Sequence, residues 1–146
     1  MSAHNVIEEI NASTSTTVVA FSGALTTTSS GGLGYATGAG STVTQITDRS
    51  TGVTINAICG KIQTDTTSLA AEVDAEFVVT NSAVAIGDVV VMCERSGSNG
   101  GNTDVYCSNV AAGSFKIRVA NNNAAAGTAE TGAIVINFAI IKAVSA

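Results

Sequence analysis

The sequence predicts an all-β chain, an antiparallel β-sandwich of jelly-roll type preceded by an extended N-terminal arm. Three observations carry this expectation. β-Branched residues fall in short runs where apolar and polar positions alternate, and clusters of Gly, Asn, Ser and Asp interrupt those runs about every ten residues. Proline is absent, so every backbone N–H is free for a ladder, and the proline that commonly guards sheet edges is missing. Exposed edges then need another cover, which we expect from neighbouring subunits. Finally, 146 residues suit one domain, which can bury about two thirds of its unfolded surface without a cofactor or disulfide.

Residues 1–33 read as an arm and linker, and residues 34–146 as the sandwich. Within the arm, residues 5–10 (NVIEEI) suit an extended segment or a short helical turn, residues 16–21 (TTVVAF) have β character, and a Ser/Thr/Gly-rich run follows. Val6, Ile7, Ile10, Val18, Val19 and Phe21 are more apolar than a solvating tail needs. They favour an arm that orders by adding a strand to another protein.

The sandwich opens with a strand, turn, strand pattern. Val43 and Gln45 alternate with Thr44 and Ile46, residues 48–52 (DRSTG) form a turn, and Val53, Ile55 and Ala57 then alternate with Thr54, Asn56 and Ile58. We read this as a hairpin. Residues 61–64 and 69–80 come next, with Val73, Ala75, Phe77 and Val79 facing a core. Glu72, Asp74 and Glu76 project from the other side at about 7 Å intervals, a spacing that suits a solvated strand face better than a cation site.

Residues 88–94 are apolar on both faces through Val89, Val90, Val91, Met92 and Cys93, as in a central strand or one covered by a second subunit. With residues 103–109 they are expected to form a hairpin around Asn99-Gly100, which would set Cys93 opposite Cys107. The three cysteines, Cys59, Cys93 and Cys107, lack metal-ligand spacing and read as small core residues. Residues 114–120 alternate cleanly, Phe115, Ile117 and Val119 inward against Lys116 and Arg118 outward. Residues 121–127 (NNNAAAG) suggest a flexible loop. Residues 133–144 are the strongest strand, with Ile134, Ile136, Phe138 and Ile140 on one face and Val135, Ala139 and Ile141 on the other. The doubly apolar strands nominate Val90, Met92, Val135 and Ile141 for self-association.

Charge narrows the function. Six Lys and Arg against eleven Asp and Glu give a net charge of −5, so nucleic acid and anionic membrane surfaces are unpromising partners. Residues 133–146 are too short, and interrupted by Asn137 and Lys142, for a spanning helix. No basic stretch leads into an apolar run near the N-terminus, so assembly in a cytoplasm is expected. The sole histidine, His4, would have to serve any Ser-His-Asp or Cys-His constellation from the arm, so we expect no enzyme, no metal and no cofactor. Residues 34–42 (GYATGAGST) look like a phosphate-cradling loop but lack its lysine and open a strand where that motif opens a helix.

The stretches GAGSTVTQ and STGVT, then TNSAVAIGDVVV, AAGSFKIRVANN and AIVINFAIIKA, together resemble a compact β-domain of tailed-bacteriophage structural proteins, over residues 34 to the C-terminus. The resemblance implies a capsid decoration or cement protein. It would be a homotrimer on the outer surface of the virion, assembled in the host cytoplasm, with the major capsid protein as partner and the arm as its grip. The residues alone do not separate a trimer from a dimer. Such domains also occur in tail fibres, so a receptor-binding module using residues 97–102 and 121–127 is the alternative. Only Tyr35 and Tyr106 are available as tyrosine platforms for a glycan, and there is no Trp.

Overall fold

The computed structural model describes residues 32–143. Val6, Ile7, Ile10, Val18, Val19 and Phe21, and His4 with them, lie outside the described residues. From Tyr35 onward the chain forms one compact unit with no helix among the described residues. Its strands are β1 (Gly40–Thr44), β2 (Val53–Thr54), β3 (Cys59–Gln63), β4 (Asp74–Thr80), β5 (Val89–Ser96), β6 (Thr103–Ala111), β7 (Ser114–Asn121) and β8 (Val135–Ile141).

They make two four-stranded sheets, sheet A in the order β1-β3-β8-β5 and sheet B in the order β2-β4-β7-β6. The strand alternation read from the sequence explains why these sheets stack. Ile62, Val90, Ile136, Phe138 and Ile140 project inward from sheet A, and Val53, Phe77, Val79, Phe115, Ile117 and Val119 from sheet B, into one buried cluster. Phe115 and Phe138 meet across the two layers with ring centroids 5.4 Å apart. Full burial of each such side chain stabilises by roughly 1.5–3 kcal/mol.

The ladders pair in a nested order, β3 with β8 and β4 with β7, both antiparallel, while β5 and β6 complete the two sheets on β8 and β7. Two pairings are not antiparallel: β1 runs parallel to β3, and β2 parallel to β4. The sandwich is therefore mixed, which corrects the purely antiparallel expectation.

Neither expected hairpin exists. β1 and β2 belong to different sheets, as do β5 and β6, so both connections cross from one layer to the other. Cys93 stands in register with Asn137 and Cys107 with Ile117, and all three cysteines are free thiols. Of the cysteines expected in the core, Cys107 is half-buried and packs against it, Cys59 is half-buried, and Cys93 is exposed. A turn signal specifies reversal of the chain; it does not specify the neighbour. At both crossings a buried charged side chain draws the loop over the end of the sandwich.

Edges are blunted without proline. β1 has five residues and β2 two, and the longer edges β5 and β6 each carry a register shift, at Arg95 and at Ser108 respectively. Short edge strands and bulges both discourage edge-to-edge pairing. The chain thus protects its edges by its own geometry.

Candidate functional site

The sandwich has two unlike outer faces. On sheet B, Glu76 of β4 stands opposite Arg118 of β7. Lys116 Nζ donates to its Oε1 at 2.8 Å, Ser108 Oγ to its Oε2 at 2.8 Å, and Arg118 Nη2 to Oε2 at 3.3 Å, while Arg118 Nη1 reaches Asp74 Oδ2 at 3.3 Å. Lys116, then Ser108, hold the Glu76 carboxyl down at about 2 against an ordinary 4.5. The acidic strand face is thus paired within the chain. Glu72 does not share it, because it precedes β4 in a left-handed conformation at φ 61°. Among the described residues no group of three or more His, Cys, Asp and Glu is placed to hold a metal ion.

Sheet A presents the opposite character. Register sets Val89 against Ile141, and Val91 against Ala139 and on to Cys59, while Cys93 aligns with Asn137 and Lys61. Val89, Val91 and Ile141 are 50%, 45% and 53% exposed. A shallow apolar depression runs between β5 and β8, lined by Val91, Met92, Cys93, Asn137, Phe138 and Ala139. Sheet B also exposes Val78 and Tyr106, but opposite Lys116 and Arg118 of its ion pairs; the contiguous apolar strip of β5 and β8 makes sheet A the candidate interaction face.

The residues nominated for self-association divide here. Val90 is buried in the core and Met92 packs against it, whereas Val135, half-buried, and Ile141 lie on the outer side. β5 is an edge strand, where the sequence suggested a central or covered one; β8 is interior to its sheet and apolar on both faces. Val89, Val91 and Cys93 are the outward residues of β5 that sequence reasoning passed over, because a doubly apolar run does not say which of its sides meets the core.

One pole of the sandwich is built from buried polar groups. Arg49 is 3% exposed, and its guanidinium donates to Thr67 O at 2.5 Å, Thr64 Oγ1 at 3.1 Å, Glu130 O at 3.3 Å and Gly132 O at 2.9 Å. Burial lowers its pKa, and the nearby Glu130 and Asp65 carboxylates oppose the shift. Gln45 Nε2 donates to Arg49 O at 3.2 Å and Thr51 O at 2.8 Å, which carries the chain from β1 across to β2.

Glu130, fully buried, does the same for the β5–β6 crossing. Its carboxylate accepts from Ser98 Oγ at 2.9 Å, Asn99 N at 3.1 Å, Gly100 N at 2.8 Å, Thr103 Oγ1 at 2.6 Å and Gly132 N at 2.6 Å. Burial pushes this carboxyl up, but the bonds from Thr103 and from the main-chain N–H groups of Gly100, Gly132 and Asn99 outweigh it and bring it to about 2. Glycines make the approach possible. A Cβ on Gly100 would sit 3.0 Å from Glu130 Oε2, and one on Gly132 would sit 2.9 Å from Oε1. This spacing of GSNGG and ETG is the trace that Glu130 leaves in the sequence.

Residues 97–102 and 121–127, which the alternative reading singled out, meet at this pole. Asn122 N donates to Asn102 O at 2.8 Å, Asn102 Nδ2 to Asn122 O at 2.9 Å, and Asn123 Nδ2 to Gly100 O. Asn121, 1% exposed, donates to Leu69 O at 2.9 Å and Thr128 O at 3.0 Å. The loop expected to be flexible is cross-braced by its asparagines. Among the described residues no helix is long and apolar enough to cross a membrane. No protein-family model, no curated protein and no solved structure matches this chain.

Proposed function

We propose that this chain is a structural protein of a tailed-phage particle: a decoration or cement protein that sits on the outer shell as a trimer and strengthens contacts between major capsid protein subunits. The observation that carries the reading is the asymmetry of the sandwich. On sheet B, Asp74, Glu76, Lys116 and Arg118 form ion pairs within the chain, whereas Val89, Val91 and Ile141 on sheet A are about half exposed. Apolar area taken from water stabilises an assembly by roughly 25 cal/mol per Å², so a second copy or a shell subunit is the natural cover. The nested pairing of β3 with β8 and β4 with β7 supports a rolled, jelly-roll-derived arrangement to which β1 and β2 add in parallel. Residues 1–33, with Val6, Ile7, Ile10, Val18, Val19 and Phe21, serve in this reading as the arm that grips the shell.

Quantitative mass spectrometry of purified particles tests it. Hundreds of copies in fixed ratio to the shell protein are expected, and deletion of residues 1–33 removes the chain from particles while the sandwich stays folded. Its absence from particles, or full occupancy by the deletion variant, sinks the reading.

The meeting of residues 97–102 and 121–127 at one pole favours a second reading, a receptor-binding module of a tail fibre or tail tip. In that case a few to a few tens of copies per particle are expected, and Asn102→Ala with Asn122→Ala abolishes host adsorption without changing particle stability.

A further inference from the structure

The sequence contains a single Asn-Gly dipeptide, Asn99-Gly100, the pair in which a side-chain amide is most easily attacked by the next backbone nitrogen. The fold creates this liability for its own reasons. Position 100 favours glycine, since a Cβ there would crowd Glu130 Oε2 at 3.0 Å and Thr103 Oγ1 at 3.2 Å. Position 99 uses both halves of a carboxamide: its Nδ2 donates to Thr131 Oγ1 at 3.0 Å, and its Oδ1 accepts from Thr131 N at 2.9 Å. Both reacting atoms are therefore engaged elsewhere. The carboxamide is fixed on Thr131, and the Gly100 N–H is aimed at Glu130 Oε2 at 2.8 Å.

We propose that Asn99-Gly100 is a latent modification site, a succinimide-forming pair that the folded pole holds closed and that converts only when Glu130 and Thr131 release the loop. In the reaction the Gly100 nitrogen bonds to the Asn99 Cγ and gives up its proton, and Nδ2 leaves as ammonia. Water then opens the cyclic imide at either carbonyl, leaving aspartate or an isoaspartate whose backbone is one methylene longer. Neither product fits the pole. Aspartate brings a second carboxylate beside Glu130 and loses the donor to Thr131, and isoaspartate displaces the Gly100 N–H. Opening of the pole thereby becomes irreversible.

Glu130 acts here as a lock. It could serve as the base only if it were free to move and basic; instead five donors fix it and hold its carboxyl near 2.

The test is peptide mass spectrometry of amide-to-acid conversion at Asn99, on the native chain and on the chain unfolded in urea, both at mildly alkaline pH. The native chain is expected to convert at least about tenfold more slowly, the ratio reporting how seldom the pole opens. Two variants, checked for folding by circular dichroism, extend it. Thr131→Ala, on an exposed site, and Glu130→Gln both convert faster than the native chain. Conversion of the native chain at the unfolded rate overturns the proposal. So does a folded Glu130→Gln that converts more slowly than the native chain, since Glu130 would then be promoting the attack.

Discussion

Glu130 and Arg49 show how much one buried charge can decide. Each is surrounded by groups that match its sign and geometry, the carboxylate by N–H and O–H donors, the guanidinium by carbonyls and a hydroxyl. Truncating either strands several partners in the interior. Glu130→Ala is expected to destabilise by about 3–5 kcal/mol, measured by urea unfolding. The pH dependence has a definite sign. Folding lowers the Glu130 carboxyl from 4.5 to about 2, so its contribution is fully present above about pH 4.5 and is lost as pH falls toward 2. Glu76 is lowered over the same window, but from a partly exposed surface ion pair that salt screens. Thermal melts at pH 3 and pH 7 separate the two. The acid loss in Glu76→Gln should match that of the native chain once salt is high, whereas Glu130→Gln should lose less on acidification at any salt.

At the scale of strands, what matters is which side of a strand meets the core. Val90 and Val91 are neighbours of identical chemistry, one 9% and the other 45% exposed. Val91→Lys is expected to leave stability within about 0.5 kcal/mol and, if sheet A is the face covered in the proposed assembly, to abolish that association, while Val90→Lys unfolds the chain because it buries an unpaired charge. Sedimentation beside circular dichroism checks both. Gly60 gives a third case: a Cβ there would lie 2.6 Å from Ser41 O on β1 and 2.9 Å from Ile55 Cδ1. Gly60→Ala should cost about 1–3 kcal/mol by pushing β1 off β3. Strands were legible in the sequence wherever alternation was clean, as in Phe115, Ile117 and Val119 or Ile134, Ile136, Phe138 and Ile140, all of which are buried. Partnership was not. Alternation fixes which face of a strand is apolar, but pairing depends on where the connections lead, and these depend on Arg49 and Glu130, single charged residues in polar runs. The acidic face of β4 was legible as a solvated face, but its pairing with Lys116 and Arg118 was not, because it requires β7 as neighbour.

The sandwich from residue 35 carries ion pairs on the outer face of sheet B and an apolar strip along β5 and β8 on the outer face of sheet A. If sheet A is covered in the assembled state, Cys93, exposed in the free chain, should be alkylated rapidly in isolated protein and protected in particles. Equal labelling in both states would mean that another surface makes the contact.

The position of β8 has a further consequence, for synthesis. β8 lies between β3 and β5, and β3 pairs with it across a gap of about seventy residues, Gln63 with Val135. Sheet B has its strands, β2, β4, β6 and β7, before β8 is made, but β3 and β5 have no common partner until then. The sheet A half of the core must wait for β8 to be made, and long-range pairing of this kind is slow. A chain halted before residue 135 leaves Ile62 and Val90 facing water, which makes nascent or truncated chains the form of this protein most prone to aggregate.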